Sequence, residues 1–376
     1  MAGEPSSAIF LARPDRTTEG IRLAVKDLFD TAGLTTTYGS IIYAEYVPDE
    51  SAEVVRRLEA AGYANVGKTN LHEFAYGITS ANPHFGTVPN PIAPGRMAGG
   101  SSGGSAAALA AGLAEAALGS DSGGSIRIPA ACCGVVGFKP SFGRVSLAGC
   151  FPLAPSFDTA GPMATTVGAC TAMMEVLADD FRPGTVESLE ELEVGVAWLD
   201  EAEPLVRARA QEAAELFPRG RPVELPLPKD IGPVFMREVA DVHRDLFAEY
   251  ADSYGDSVRT KIELCLAVSD GEYERALRAR DQYRERCDEV ANGLDLLLTP
   301  TLAFVAPKLP ADDLELRDDV IRLTYPFNIL GWPALALPSG PAEDGLPASV
   351  QLAGRDDALV LTAGELLEAS LEPLRR

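Results

Sequence analysis

The stretch Gly119-Ser-Asp-Ser-Gly-Gly-Ser-Ile-Arg-Ile-Pro-Ala130 carries the strongest signal in this 376-residue chain. It places Ser125 directly after a glycine pair, which lets the backbone bend tightly and approach a ligand without side-chain obstruction. Successive backbone N–H groups can then converge on one oxygen atom. The stretch therefore predicts a nucleophilic serine whose oxyanion hole is formed by the N–H groups of Ser122, Gly123, Gly124 and Ser125.

A second glycine-rich segment and a lysine complete a set of groups suited to acyl transfer. Ser101 lies in Gly99-Gly-Ser-Ser-Gly-Gly-Ser105, and Lys26 follows the apolar residues Leu23-Ala-Val25. A serine becomes a good nucleophile when a base takes its proton, and burial lowers the pKa of a lysine toward neutrality. The adjacent Asp27 would oppose the lowering of the lysine pKa only if both side chains pointed to the same face of the strand. Successive residues of a strand point to opposite faces, so we expect no such effect. The set predicts acyl transfer, most simply amide hydrolysis, without histidine.

Composition narrows the class of protein. Apolar residues make up 46% of the chain, and the formal net charge is −23. An acidic surface repels nucleic acids and anionic membranes, so we expect neither as a partner. The first residues lack the basic start and apolar stretch of a signal peptide, so we expect none, and the Ala-rich run over 106–118 is too short to cross a bilayer. Six cysteines without a C-x-x-C spacing indicate reduced thiols, so we predict a cytoplasmic protein.

Short apolar runs alternate with helical patterns along the chain, which indicates an α/β architecture. We predict one domain over 1–376, with a core over about 20–170, a variable helical region over about 180–290, and C-terminal strands and a helix over about 291–376 that complete the sheet. Strands are predicted over 21–25, 63–66, 135–138, 194–198, 294–298, 334–337 and 349–352. Helices are predicted over 51–61, 103–117, 201–216, 236–250, 273–290 and 358–371.

Taken together, the motifs resemble the amidase signature family. The matching segments are Ala24-Val-Lys-Asp-Leu-Phe-Asp30, Gly67-Lys-Thr-Asn-Leu-His-Glu-Phe-Ala-Tyr-Gly77, Pro89-Asn-Pro91, the two glycine-rich stretches, Gly134-Val-Val-Gly-Phe-Lys-Pro140, Phe327-Asn-Ile-Leu-Gly-Trp-Pro333 and Val350-Gln-Leu-Ala-Gly354. The resemblance implies an α/β/α domain with a mixed, twisted sheet covered by helices on both faces. It also implies hydrolysis of a carboxamide through an acyl-enzyme, with no metal and no organic cofactor.

The same resemblance implies roles for individual residues. Ser125 would be the acylated nucleophile, Lys26 the base, and Ser101 the proton relay between them, with a cis peptide bond before Ser101. Ser102 is the competing relay, although the family spacing favours Ser101. Asp121 and Arg127 would form a pair that holds the nucleophile loop.

For the substrate, the resemblance and the local composition imply a mostly apolar acyl pocket, and therefore a small aryl or alkyl amide. Its expected lining residues are Tyr76, Ile78, Thr79, Phe157, Phe327 and Trp332, with core packing as the alternative for each aromatic side chain. Family members usually carry a longer helical region before the lysine strand, so we expect a more open pocket. A homodimer is the family-level expectation for assembly.

Alternative functions remain open within the family. One is the amidase subunit of a glutamine-dependent tRNA amidotransferase, and another is a carbamate or ester hydrolase. Where that subunit carries an aspartate for the ammonium group of glutamine, this chain has Ile321, which argues against glutamine.

Two further alternatives fit the residues less well. The segment Gly62-Tyr-Ala-Asn-Val-Gly-Lys-Thr69 satisfies the phosphate-loop pattern, but it follows a helix and contains a predicted strand. His72, His84 and His243 belong to no recognised catalytic motif, and structural roles are expected for them.

Overall fold

One long mixed β-sheet organises the part of the chain that the computed structural model describes, residues 8–16 and 18–371. The strands are β1 (Phe10–Ala12), β2 (Ile21–Lys26), β3 (Tyr63–Thr69), β4 (Ala81–Asn82), β5 (Gly86–Thr87), β6 (Ala116–Asp121), β7 (Val136–Lys139), β8 (Thr159–Ala164), β9 (Val194–Val196), β10 (Gly220–Pro222), β11 (Leu296–Pro300), β12 (Ala334–Pro341) and β13 (Pro347–Gly354). Eleven strands form the sheet in the order β1-β3-β2-β6-β8-β7-β12-β13-β11-β9-β10, and β4 pairs with β5 separately.

Helices connect these strands. The α-helices are α1 (Glu53–Ala60), α2 (Gly103–Ala110), α3 (Arg127–Cys133), α4 (Val167–Leu177), α5 (Pro204–Glu215), α6 (Gly232–Tyr250), α7 (Asp256–Leu266), α8 (Asp270–Val290), α9 (Asp313–Ile321), α10 (Tyr325–Leu330) and α11 (Asp357–Ser370). Short 3-10 helices cover Ile41–Tyr43, Glu73–Ala75, Leu189–Glu191, Leu199–Glu201, Ala251–Ser253 and Glu343–Gly345. None of the described helices is long and apolar enough to span a membrane.

Alternating side chains of the central strands show how the sheet is covered. Leu23 and Val25 of β2 pack in one core cluster with α1, α4, α5 and α11, whereas Ala24 between them packs with α2 and α3. In β11, Leu296 and Leu298 belong to the first cluster, and Leu297 packs with α6, α7 and α8. Both faces of the sheet therefore carry helices, which confirms the predicted single α/β/α domain. The helical region predicted over about 180–290 supplies α6, α7 and α8 on one face.

The structure corrects one predicted helix boundary and rules out the phosphate-loop alternative. The helix predicted over 103–117 ends at Ala110, because Gly112 has a positive φ of 68° and the following small residues form the central strand β6. The phosphate-loop alternative is wrong, since Tyr63–Thr69 is a strand and Lys68 is fully buried beside Asp27. All six cysteines are free thiols, as predicted.

The parallel pairing of β2 with β6 decides where the polar residues meet. The register pairs Leu23 with Ala116 and Val25 with Leu118, so both strands end at the same edge of the sheet. Lys26 ends β2, and the loop that carries Ser125 follows β6 and leads into α3. The candidate site therefore lies at the carboxyl ends of these parallel strands, where open α/β sheets commonly bind ligands.

Candidate active site

Lys26 is fully buried at the end of β2 and touches two hydroxyl groups. Its Nζ lies 2.7 Å from Ser101 Oγ and 2.7 Å from Ser120 Oγ. Burial lowers the pKa of Lys26 to about 7, and the more distant charges of Cys150, Asp121 and Asp158 only partly offset that effect. Within the described residues, Lys26 has no carboxylate at ion-pair distance. Burial therefore makes the neutral form of this lysine, which can accept a proton, accessible near neutral pH.

Asp27 points away from Lys26, as the alternation of a strand predicts. Its Oδ1 lies 2.9 Å from Lys68 Nζ, and its Oδ2 accepts hydrogen bonds from the Thr37 N–H and hydroxyl at 2.8 and 2.6 Å. The Asp27 carboxylate is therefore paired with Lys68, and it does not stabilise the charged form of Lys26.

The segment before α2 presents one serine to the lysine and turns the next away. The Gly100–Ser101 peptide bond is cis, as the family resemblance implies. The Ser101 carbonyl accepts hydrogen bonds from the His72 N–H and from Ser80 Oγ, each at 3.2 Å. Ser102 Oγ instead donates to the Ser120 carbonyl at 3.2 Å. Of the two adjacent serines, Ser101 is the one that contacts Lys26.

Asp121 and Arg127 hold the loop that carries Ser125. Asp121 accepts the N–H groups of Gly124 and Ile126 at 2.8 and 3.1 Å, and the Arg127 guanidinium binds both of its carboxylate oxygens at 2.9 and 3.0 Å. Burial alone would raise the pKa of Asp121, but the Arg127 charge holds it well below its usual range. Both side chains are fully buried, so a buried ion pair holds this loop in place.

The predicted oxyanion hole is only partly available. The Gly124 N–H donates to Asp121, so Gly124 departs from the predicted set of four donors. Within the described residues, no protein acceptor meets the N–H groups of Ser122, Gly123 or Ser125. Gly124 serves the loop in another way. Its φ is +127°, and a Cβ there would lie 2.2 Å from the Thr324 hydroxyl, so only glycine fits. Ser125 itself is nearly buried, with 8% of its surface exposed.

Sequence analysis assigned no role to several polar residues of the site. Ser120 touches Lys26, and Thr324 Oγ1 donates to the Gly123 carbonyl at 2.7 Å. Asn328 and Gln351 accept hydrogen bonds from Arg127, each at 2.7 Å. Ser120 sits within the quoted stretch, yet its role depends on the register of β6 against β2. Only tertiary structure reveals the other three.

The six expected pocket residues divide into two groups. Tyr76, Ile78 and Thr79 belong to the segment packed against Gly100, where a Cβ would lie 2.9 Å from the Ile78 carbonyl carbon. Phe157 stacks on Tyr325 with 5.7 Å between ring centroids. The Tyr325 ring in turn lies next to Gly123. The segments that carry these four residues therefore lie next to the glycine-rich loops of Ser101 and Ser125.

The other two expected pocket residues lie elsewhere. Phe327 is fully buried and packs against Trp198, so the alternative of core packing applies to it. Trp332 packs under the Arg355 guanidinium and lines a cavity of about 40 Å³ that contains none of the serines. We therefore remove Phe327 and Trp332 from the expected pocket.

A cavity of about 210 Å³ adjoins the lysine from the side of Ser120. It is lined mainly by apolar side chains, with Ser120, Ser122 and Asp158 as its polar members and Cys150 nearby. Ser122 Oγ donates to Asp158 at 2.5 Å, which ties this wall to the nucleophile loop.

The histidines take structural positions. His72 is buried beside Thr79 and Asp313, and burial lowers its pKa to about 4. His84 contacts Glu73 at 2.9 Å, and His243 contacts the Tyr254 hydroxyl at 2.9 Å. In the part of the chain that the structure describes, no three His, Cys, Asp or Glu side chains are grouped to hold a metal ion.

Comparison with known proteins agrees with this geometry. A family model described as Amidase matches residues 10–361. The chain belongs to the amidase signature family. Among its relatives, a glutamyl-tRNA(Gln) amidotransferase subunit from Anaeromyxobacter dehalogenans (strain 2CP-C) is 37% identical over 96% of this chain and 85% of its own length. The AtzE subunit of the 1-carboxybiuret hydrolase from Pseudomonas sp. (strain ADP) is 35% identical over 93% of this chain and 83% of its own length.

A solved structure of an amidase superposes on this member of the amidase signature family with a TM-score of 0.86. It is 39% identical, and the match covers 94% of this chain and 85% of that one. Family membership establishes a hydrolase of the amidase class with the α/β fold described above. The curated relatives include one component of a tRNA amidotransferase and one component of a hydrolase, so the family alone does not name a substrate.

Proposed function

We propose that this chain hydrolyses a small alkyl or aryl carboxamide to a carboxylic acid and ammonia or an amine, through an acyl-enzyme on Ser125. The observation that carries the proposal is the contact between Lys26 Nζ and Ser101 Oγ at 2.7 Å, made by a lysine whose pKa burial lowers to about 7. Such a lysine can take a proton at neutral pH, which histidine does in other serine hydrolases.

In the first half-reaction, Ser125 Oγ attacks the amide carbonyl carbon while its proton passes through the Ser101 hydroxyl to Lys26. The carbonyl oxygen becomes an oxyanion, and the N–H groups of Ser122, Gly123 and Ser125 are the donors proposed to stabilise it. The intermediate collapses when the C–N bond breaks. The proton held by Lys26 then returns through Ser101 to the leaving nitrogen.

In the second half-reaction, water takes the place of the amine. It attacks the acyl ester, gives its proton to Lys26 by the same relay, and releases the carboxylic acid and free Ser125. Every proton taken by the lysine is returned within each half-reaction, so no external acid, metal or redox partner is required by this scheme.

The amidase subunit of a tRNA amidotransferase is the second candidate, and the 37% identity to one such protein favours it. Against it, Ile321 occupies the position where the family resemblance implies an aspartate for glutamine, and Ile321 is buried. Carbamate and ester hydrolysis use the same acyl-enzyme chemistry. A homodimer also remains a prediction.

The test combines a substrate panel with labelling of the nucleophile. Amides, esters and carbamates of matched acyl groups are incubated with the protein, and products are identified by mass spectrometry. A fluorophosphonate should label wild-type protein on the peptide that contains Ser125 and should leave a folded Ser125→Ala variant unlabelled and inactive. Label on another serine, or full activity of Ser125→Ala, would disprove the proposal. Hydrolysis of glutamine in preference to simple amides would favour the amidotransferase candidate.

A further inference from the structure

A cavity of about 540 Å³ lies beyond Tyr325, on the outer side of the serine loop. It is bounded by residues 227–232 and by α9 and the residues that follow it. Tyr325 joins this cavity to the candidate active site. One edge of its ring lies 3.7 Å from the position of a Cβ on Gly123, and the preceding Thr324 hydroxyl is bonded to the Gly123 carbonyl. A substrate bound at Ser125 can therefore extend past the Tyr325 ring toward this cavity.

Arg317 is the innermost charged group of the cavity. Six charged side chains line it, and all except Arg317 are exposed: Lys229, Asp230, Asp318, Asp319 and Arg322. Its guanidinium carbon lies 5.9 Å from the Tyr76 ring centroid and 5.7 Å from the Phe235 ring centroid. It therefore sits against the aromatic wall that leads to the serines.

The Arg317 charge has no strong partner in the described part of the chain. Its one carboxylate at ion-pair distance is the adjacent Asp318, 3.6 Å away, with a side chain that is 95% exposed. Arg322, in contrast, pairs with Glu201. Because exposed ion pairs are weak, the Arg317 guanidinium is available to a ligand.

Tyr325 provides a second donor beside Arg317. Its hydroxyl is buried and has no hydrogen-bond partner among the described residues. Tyr325 and Arg317 line the same cavity, and the Phe235 ring centroid lies 6.1 Å from the Tyr325 ring centroid and 5.7 Å from the Arg317 guanidinium carbon. Glu238 acts on Tyr325 electrostatically, but its two oxygens accept the Ser156 N–H and hydroxyl at 2.8 and 2.5 Å. A buried donor without an acceptor is costly, so an acceptor supplied by a ligand would satisfy it.

We infer that the acyl chain of the substrate ends in a carboxylate, which Arg317 and the Tyr325 hydroxyl bind together. This inference rests on the proposed function, because the amide at the other end of the same molecule is the bond that Ser125 attacks. Phe157, Phe235 and the Tyr325 ring, with centroids 5.4 to 6.1 Å apart, form an apolar wall for the methylene groups between the two ends. The substrate class is thus the monoamide of an aliphatic dicarboxylic acid, and water converts it to the diacid and ammonia.

A carboxylate at this site makes charge-assisted hydrogen bonds, which are stronger than neutral ones. The site also offsets a general repulsion, since a protein with a net charge of −23 repels anions elsewhere on its surface. An ammonium group beside Ile321, which lines the same cavity, would find no partner in that side chain.

The test uses pairs of amides that differ only at the far end: glutaramic acid with pentanamide, and adipamic acid with hexanamide. We expect kcat/KM to be roughly 10- to 100-fold higher for the acid of at least one pair, from one charge-assisted contact. Arg317→Met should remove that advantage through KM for the acid, with a smaller change for the neutral amide. Tyr325→Phe should lower the advantage in part. Arg322→Met, which removes a charge from the same cavity that is already paired with Glu201, is the matched control and should keep the advantage.

Binding of the product diacids gives a second readout that does not need turnover. Glutarate or adipate should bind wild-type protein in a calorimetric titration and should bind Arg317→Met at least tenfold more weakly. Equal kcat/KM for acid and neutral amide, or equal loss on both substrates in Arg317→Met, overturns the inference while the acyl-enzyme stands. If no amide is cleaved and Ser125 is not labelled, the proposed function fails. The calorimetric result then decides the carboxylate site alone, and absence of diacid binding disproves it.

Discussion

Two fully buried lysines on neighbouring strands of this sheet have opposite surroundings. Lys26 on β2 contacts two serine hydroxyls at 2.7 Å, and Lys68 on β3 contacts the Asp27 carboxylate at 2.9 Å and the Thr36 hydroxyl at 2.6 Å. Burial lowers the pKa of both, but the Asp27 charge counteracts the effect at Lys68. The partner, more than the depth of burial, thus separates a candidate base from a structural cation.

A third buried lysine shows that a lowered pKa does not by itself mark a base. Burial also lowers the pKa of Lys139 to about 7, yet its Nζ donates to the Pro140 carbonyl at 2.9 Å. What distinguishes Lys26 is its contact with the hydroxyl of Ser101, the relay of the proposed mechanism. The comparison therefore makes separate predictions for activity and for stability.

The largest expected effect is on catalysis at Lys26. Lys26→Met should lower kcat/KM by roughly four orders of magnitude, the upper end of what a general acid–base group contributes. The free energy of unfolding should be unchanged or slightly higher, because an apolar side chain of similar length replaces a buried amine without a counter-ion. Steady-state rates and thermal unfolding followed by circular dichroism measure both. Activity within tenfold of wild type would remove Lys26 from the mechanism.

Lys68→Met should show the opposite pattern. It leaves Asp27 buried without its cation, so the free energy of unfolding should fall by about 3–5 kcal/mol, as for other broken buried ion pairs. Adding Asp27→Asn, which removes the orphaned charge, should recover much of that loss in urea unfolding. If Lys68→Met is as stable as wild type, or if the second substitution recovers nothing, the ion pair is not what holds these strand ends.

The pH dependence of kcat/KM tests the protonation state of Lys26. Below its pKa of about 7 the amine is protonated and cannot accept the serine proton. Activity should fall tenfold for each pH unit below about 7 and reach a plateau above it. Circular dichroism at each pH checks that the protein stays folded. A profile that is flat between pH 5 and 9, or that falls as the pH rises through 7, contradicts a lysine base.

The same comparison shows how far sequence alone reaches. The strand before Lys26 and the glycine-rich loop follow from local pattern, whereas the contact of Lys26 with Ser101 follows from the family resemblance. The role of Asp27 also follows, because alternation in a strand turns it away from Lys26. Its partner Lys68 appeared in the sequence as part of a phosphate-loop pattern, and only the parallel pairing of β2 with β3 explains it.

Other parts of the site could not be predicted for physical reasons. Ala116–Asp121 consists of small residues that continue a helical composition, and the burial that makes it a strand comes from β2 and β8 on either side. Gln351 meets Arg127 across 224 positions of sequence, so no local signal connects them. The Gly124 N–H donates a hydrogen bond to Asp121. This bond depends on the three-dimensional shape of the loop, which the spacing of residues in the sequence does not specify.

The smallest expected effect concerns Ser120, the second of the two hydroxyls that contact Lys26. A neutral amine that donates one N–H to Ser120 Oγ turns its lone pair toward Ser101, so Ser120→Ala should lower kcat by about tenfold, the value of one hydrogen bond. Because an acceptor also favours the charged amine, its loss should move the acidic limb of the pH profile to lower pH. Ser120→Thr keeps the hydroxyl, and the adjoining cavity of about 210 Å³ has room for its methyl group, so this variant should restore both the rate and the limb. A purely structural Ser120 would change the rate without moving the limb, and that result would leave Ser101 as the only hydroxyl that tunes this lysine.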